Sequence, residues 1–168
     1  LAVEQAKAQL EHRSGQTLVL CGDVPLIRTE TLRELVRATD TEGVGAAVLT
    51  AITDDATGYG RILRDADGHV TAIVEEKDAN EEQRRIREYN TGTYCFDNSL
   101  LWPALTRLDQ GNAQGEFYLT DVVAILVAGG HHVEGVVCRD EREVQGINTV
   151  ADLERARRDH RLLRDEGE

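Results

Sequence analysis

Methionine is absent from the 168 residues, cysteine occurs only three times, and no apolar run approaches the ~20 residues that a bilayer-spanning helix requires. Without Met the chain has no initiator residue, and it opens on Leu1 inside a stretch of helical spacing, so a piece of a longer protein is expected. Cys21, Cys95 and Cys138 are odd in number, far apart and outside any CxxC or Cys/His cluster. That argues against a disulfide framework and against structural zinc, and for reduced thiols in a cytoplasmic protein. The opening LAVEQAKAQLEHR reads as an amphipathic helix rather than a secretory signal. Positive charge is also scarce: 19 Lys and Arg face 31 Asp and Glu, and a net charge of -12 repels polyanions. Nucleic acid and anionic membrane are therefore poor partners. A phosphorylated small molecule remains open, because a divalent cation reverses the local sign of the field.

What is present is a core-forming α/β pattern. No repeat, low-complexity segment or internal linker interrupts it, and 40% apolar residues suffice for one domain. The apolar strand TLVLCGDVPLI (residues 17–27) runs into Gly22 and Asp23 and closes with Pro25. Helical spacing follows at 29–39 and strand spacing at 46–52, and residues 61–64 and 70–75 flank Asp65-Ala66-Asp67-Gly68 as a hairpin. A charged helical excursion at 80–87, a turn at Asn90-Thr91-Gly92, a strand at 94–97 and a helix at 99–108 come next. An apolar helix at 118–128 stops at Gly129-Gly130, a strand spans 133–137, and a charged helix spans 150–164. Alternating strands and helices with one inserted hairpin predict an α/β fold with a mixed, mostly parallel sheet.

Several polar groups punctuate the apolar strands. Asp23 stands at a strand's C-terminal edge, where α/β proteins bind ligands, and an unpaired buried carboxylate there would cost several kcal/mol, so it should face a solvated cleft or a cation. Gly22-Asp23 equally fits a plain turn, and Gly58-Tyr59-Gly60 a bend that tolerates no Cβ. Glu75 at a strand end could accept hydrogen bonds from vicinal hydroxyls, and Asn90 offers both donor and acceptor, an inventory that suits a sugar. Glu75 and Glu76 could instead be solvated charges paired with Lys77. Asn148, at the start of the last helix, fits an N-cap; if the fold returns it to Asp23, the pair forms a sparse oxygen site that magnesium would complete with phosphate and water. His131-His132 reads as an exposed loop, the cysteines lack a partnering base, and Trp102 reads as a packing residue.

The ordered segments LCGDVPLI, TGYGRI, IVEEKDA, EYNTGTYCFD, NAQGEFYLTD and VQGINTVADL resemble the bacterial N-acetylglucosamine-1-phosphate uridylyltransferase domain of the bifunctional enzyme of UDP-N-acetylglucosamine synthesis. The resemblance runs from about Ala2 to Leu153. It implies a Rossmann-like nucleotidyltransferase fold that joins UTP and N-acetylglucosamine 1-phosphate with release of pyrophosphate, and homo-oligomerisation through a domain that would follow. It places Mg2+ on Asp23 and Asn148, and the sugar nucleotide on Gly60, Glu75 and Asn90. Cys21 and Gly22 line the same floor, although the family often has another residue where Cys21 stands.

One departure qualifies this. The family's opening strand, its Gly-rich loop with Arg and Lys, and its Gln and GTG segments for uracil have no counterpart in the chain, nor do the hexapeptide repeats of an acetyltransferase domain. The expectation is a partial nucleotidyltransferase domain at 1–150 and a terminal helix at 151–168 that starts a linker, the isolated chain being inactive or nearly so. Two alternatives stand beside it: another sugar-1-phosphate nucleotidyltransferase, and a non-catalytic sugar-nucleotide-binding remnant.

Overall fold

Residues 1–165 are described by the structure, a computed structural model. A 3-10 turn (Val3–Ala6) runs into α1 (Lys7–Leu10), so the amphipathic opening is helical in two short pieces. Then come β1 (Gln16–Val19), α2 (Thr29–Thr39), β2 (Val44–Ile52), β3 (Arg61–Arg64) and β4 (Val70–Val74). They are followed by α3 (Glu81–Arg84), β5 (Glu88–Asp97), α4 (Asn98–Leu105), α5 (Asp121–Ala128), β6 (His132–Val137), a 3-10 turn (Glu141–Val144) and α6 (Val150–Asp165). Of the segment 151–168 expected as a linker helix, residues 166–168 lie outside the described residues.

The mixed α/β architecture is as expected, but the sheet is mostly antiparallel rather than mostly parallel. Its order is β4-β3-β5-β2-β6, with β1 also on β5. Among the described residues only β2 and β6 pair in parallel; β5 runs antiparallel to β1, β2 and β3, and β3 to β4. The cause is the slot that β5 takes. β1 and β2 point the same way, as a strand-helix-strand crossover demands, but they are not neighbours, because β5 returns between them and reverses both pairings.

Strand alternation sends side chains to two cores. On one face Ala46 and Val48 of β2 and Tyr94 and Phe96 of β5 meet Leu101 and Trp102 of α4 and Val122, Val123 and Leu126 of α5. On the other, Ala47, Leu49 and Ala51 of β2 and Cys95 of β5 meet Leu35 of α2 and Val144. Each large side chain so buried stabilises by roughly 1.5–3 kcal/mol. Trp102 is a packing residue, as its sequence context suggested. No helix among the described residues is long and apolar enough to cross a membrane.

Three local differences bear on the site. The strand expected to run from Thr17 into Gly22 and Asp23 ends at Val19, so Gly22 and Asp23 stand in a turn beyond its end rather than at its edge. Asn90-Thr91-Gly92 is not a turn before a strand but lies inside β5, where Gly92 takes a φ of 80°. Gly in that left-handed region reads locally as a turn signal, yet here it kinks a continuous strand at a β2 register shift. The N-cap of α6 is Thr149, not Asn148: Thr149 Oγ1 accepts from the Asp152 N–H at 3.1 Å, and Asp152 Oδ2 accepts from the Thr149 N–H at 2.9 Å.

Candidate functional site

The turn after β1 carries Cys21, Gly22 and Asp23, and the loop before α6 carries Gly146, Ile147 and Asn148. The two are joined by backbone: Ile147 N–H donates to the Asp23 carbonyl at 2.9 Å. A Cβ on Gly146 would stand 3.5 Å from Asp23 Oδ2 and 3.3 Å from Asn148 Nδ2, so both side chains converge on one glycine that leaves room for them. Both residues are exposed, and neither side chain makes a hydrogen bond among the described residues. With Thr149 capping α6, the Asn148 amide is free to face Asp23.

A second group gathers along β5. Gly60 accepts from the Asn90 N–H at 2.8 Å, and a Cβ on Gly60 would lie 3.0 Å from Ile73 Cγ2 and 3.5 Å from Glu75 Oε2. A side chain at position 60 would therefore fill the space in front of the Glu75 carboxylate. Glu75 Oε1 accepts from Thr120 Oγ1 at 2.9 Å, which leaves Oε2 as the oxygen open to a ligand. Asn90 Oδ1 accepts from the Gly92 N–H at 3.0 Å and Nδ2 donates to the Tyr94 hydroxyl at 2.7 Å, a pair of bonds that fixes the amide's orientation. Burial pushes the Tyr94 phenol well above its ordinary range, with Glu75 and Cys21 adding to the shift.

The two groups touch through Cys21, whose Sγ donates to the Gly92 carbonyl at 3.5 Å. Burial raises the Cys21 thiol above its ordinary range, and the negative charge of Asp23 raises it further, so it stays a neutral packing group on the floor. All seven residues singled out from the sequence thus lie along one strip: Asn148 and Asp23 at one end, Gly22 and Cys21 between, and Asn90, Gly60 and Glu75 at the other.

Thr120 and Tyr94 were not found by sequence reasoning; a Thr in a helix's first turn and a Tyr alternating in a strand carry no ligand signal of their own. Also missed was the docking of residues 109–117. Asp78 Oδ1 accepts from the Ala113 N–H at 2.8 Å, and Lys77 Nζ donates to Gln114 Oε1 at 2.5 Å. This loop helps close a depression of about 230 Å³ lined by Glu75, Asp78, Asp109, Tyr118 and Asp121. Burial raises the Asp121 carboxyl above its ordinary range, with Asp109, Glu75 and Asp78 contributing repulsion.

Below the strip, Arg61 is 2% exposed and ion-pairs with Glu76 at 2.7 Å, while its guanidinium also reaches the Tyr59 carbonyl. Glu76 in turn accepts from the Gly58 N–H at 3.3 Å. The Gly58-Tyr59-Gly60 bend is thereby tied to the strand end that carries Glu75. Glu76 is an ion-pair partner, as one reading of the sequence had it, but of Arg61 and Arg84 rather than Lys77.

Residues 1–144 match the Nucleotidyl transferase family. The chain is 53% identical over 161 residues to the Bifunctional protein GlmU of Geobacillus thermodenitrificans, covering 94% of this chain and 35% of that protein. It is 50% identical over 155 residues to the same-named protein of Heliobacterium modesticaldum (92% and 34%), and 48% identical over 158 residues to that of Thermobifida fusca (94% and 33%). The chain spans about a third of the length of these curated relatives. In fold it is similar to a crystal structure described as a glucose-1-phosphate thymidylyltransferase from Bacillus anthracis, with a TM-score of 0.68 at 19% identity over 95% of this chain and 59% of that one.

Proposed function

We propose, from a chain that belongs to the nucleotidyl transferase family, that these residues form the sugar-phosphate and metal side of a uridylyltransferase acting on N-acetylglucosamine 1-phosphate and UTP. The observation that carries this reading is the convergence of Asp23 and Asn148 at Gly146, continuous through Cys21 with the Glu75 and Asn90 group. High identity to proteins named GlmU supports the choice of sugar and nucleotide over other members of the fold.

Asp23 and Asn148 fit a hard divalent cation, Mg2+ in this proposal. They offer one carboxylate and one amide, whose oxygen enters the same space on rotation about its terminal torsion, both free of competing side-chain bonds among the described residues, beside a glycine that keeps the space open. When bound, the ion would neutralise phosphate charge. The chain's residues do the positioning. Glu75 Oε2, freed by Thr120, accepts from sugar hydroxyls. Asn90, its amide oriented by Gly92 and Tyr94, takes a further polar group of the sugar. Held so, a phosphate oxygen of the sugar phosphate attacks the α-phosphorus of the nucleotide in line; the new P–O bond forms as the bond to pyrophosphate breaks. No acid or base from the chain is required, which agrees with thiols that stay protonated.

In the full-length protein, Asp23→Ala should abolish UDP-sugar formation while leaving the melting temperature close to wild type. A mild loss of turnover would reject the metal assignment. A panel of sugar phosphates tests the substrate: preference for a sugar without the N-acetyl group would reject N-acetylglucosamine 1-phosphate.

A further inference from the structure

Glu143 is the only fully buried carboxylate among the described residues, and each of its carboxylate's hydrogen bonds to Arg28 and Thr31 reaches across more than a hundred residues of sequence. Its Oε2 accepts from the Arg28 backbone N–H at 3.0 Å and from Thr31 Oγ1 at 2.6 Å. Its Oε1 accepts from Arg28 Nε at 2.8 Å and lies 2.6 Å from Arg28 Nη2. Arg28 is the N-cap of α2 and makes no side-chain cap bond of its own, so the helix's N-terminus is closed by an acid from the 3-10 turn Glu141–Val144. The same bond raises the Arg28 guanidinium further above its ordinary range.

Arg28 lies five residues after Asp23, and Glu143 five residues before Asn148. The two segments therefore run side by side, held at two rungs: Arg28 with Glu143, and the Asp23 carbonyl with the Ile147 N–H. Asp23 and Asn148 project at the open end of this ladder. Because neither side chain is held by a hydrogen bond among the described residues, their separation is set by the backbones, and hence by the rungs. With Glu143 fully buried and the Arg28 side chain 39% exposed, desolvation of the acid offsets most of the attraction, and what the pair provides is a fixed geometry.

We infer that Glu143, acting through Arg28 and Thr31, is a positioning residue that sets the spacing of Asp23 and Asn148 and so the affinity of the site for its divalent cation. The inference rests on the proposed metal role of those two residues. Partners that orient a ligand set typically change metal affinity when removed.

The test uses the full-length protein and its Glu143→Gln and Thr31→Val variants. Free Mn2+ is counted by EPR during titration to give a dissociation constant, and the Mg2+ concentration for half-maximal turnover is measured in parallel. Glu143→Gln should weaken Mn2+ binding roughly tenfold, and Thr31→Val, which keeps the ion pair, by a smaller factor in the same direction. The Mg2+ requirement should rise in step, and turnover at saturating Mg2+ should recover to within about threefold of wild type. A lowered melting temperature with unchanged Mn2+ affinity in both variants would overturn the inference and leave Glu143 a folding element only. Should Glu143→Gln fail to fold, Thr31→Val alone decides. Asp23→Ala separates the two levels: if it abolishes Mn2+ binding while the Glu143 and Thr31 variants do not weaken it, only the positioning role falls. If Asp23→Ala leaves binding intact, the metal site and the inference fall together.

Discussion

A Cβ on Gly92 would lie 2.6 Å from Cys21 Sγ, well inside van der Waals contact. The turn that presents Asp23 thus rests directly on the middle of β5, against the same glycine whose N–H orients Asn90. The ends of the strip proposed to hold the metal and the sugar are packed against one another at this point, so a change there should be felt at both.

Gly92→Ala combines two penalties, the sulfur overlap and a side chain at a φ of 80°. Backbone strain of that kind costs about 1–3 kcal/mol. The Cys21→Ala/Gly92→Ala double variant should regain part of the loss, because removing the sulfur relieves the overlap but not the dihedral. Urea unfolding of the single and double variants measures the difference. Equal stabilities would show that the sulfur contact does not constrain the turn.

Thr120→Val should act on binding more than on folding. The hydroxyl's bond to Glu75 Oε1 is worth about 1 kcal/mol, and its loss frees the carboxylate to rotate away from the sugar. In the full-length protein KM for the sugar phosphate should rise roughly fivefold with kcat nearly unchanged. An unchanged KM would show that Thr120 does not orient Glu75.

The Arg61–Glu76 pair predicts a pH dependence. The hydrogen bond from Arg61 holds the Glu76 carboxyl below its ordinary range, aided by the Gly58 N–H and by Arg84. A carboxylate with a depressed native pKa contributes stability that is present above its unfolded value near 4.5 and is lost as pH falls through the lower native value. Glu76→Gln should therefore be less stable than wild type at neutral pH, with the two melting curves converging in acid. A gap that is constant from pH 7 to about pH 3 would contradict the ion-pair origin.

Much of this was legible in the sequence, and what was not has identifiable causes. The hairpin around Asp65 to Gly68, the apolar helices and the order of the motif-bearing loops follow from local signals. The strand directions did not, because β5 enters between β1 and β2 only in three dimensions, and no local pattern marks which slot a strand takes. Asn90-Thr91-Gly92 misled for a related reason: a positive-φ glycine looks the same whether it ends a strand or kinks one. The segments that carry Asp23 and Asn148 are tied together by Arg28 and Glu143, and no local sequence signal marks two residues 115 positions apart as partners.

The last prediction separates capping from ligand binding at neighbouring positions. Thr149 and Asp152 exchange reciprocal bonds at the start of α6, so Thr149→Ala should lower stability by about 1 kcal/mol, the usual cost of an N-cap hydroxyl. It should disturb turnover little, since Asn148 keeps its backbone tie to Asp152 and the Ile147 rung remains. Asn148→Ala should do the reverse: its side-chain amide makes no hydrogen bond among the described residues, so unfolding should be nearly unchanged, whereas UDP-sugar formation by the full-length protein should fall by at least an order of magnitude as the proposed oxygen ligand is lost. Denaturant midpoints and initial rates on the same two preparations decide it. If Asn148→Ala were the destabilising change and Thr149→Ala the inactivating one, Asn148 would be a structural cap and the pairing with Asp23 would have no chemical role.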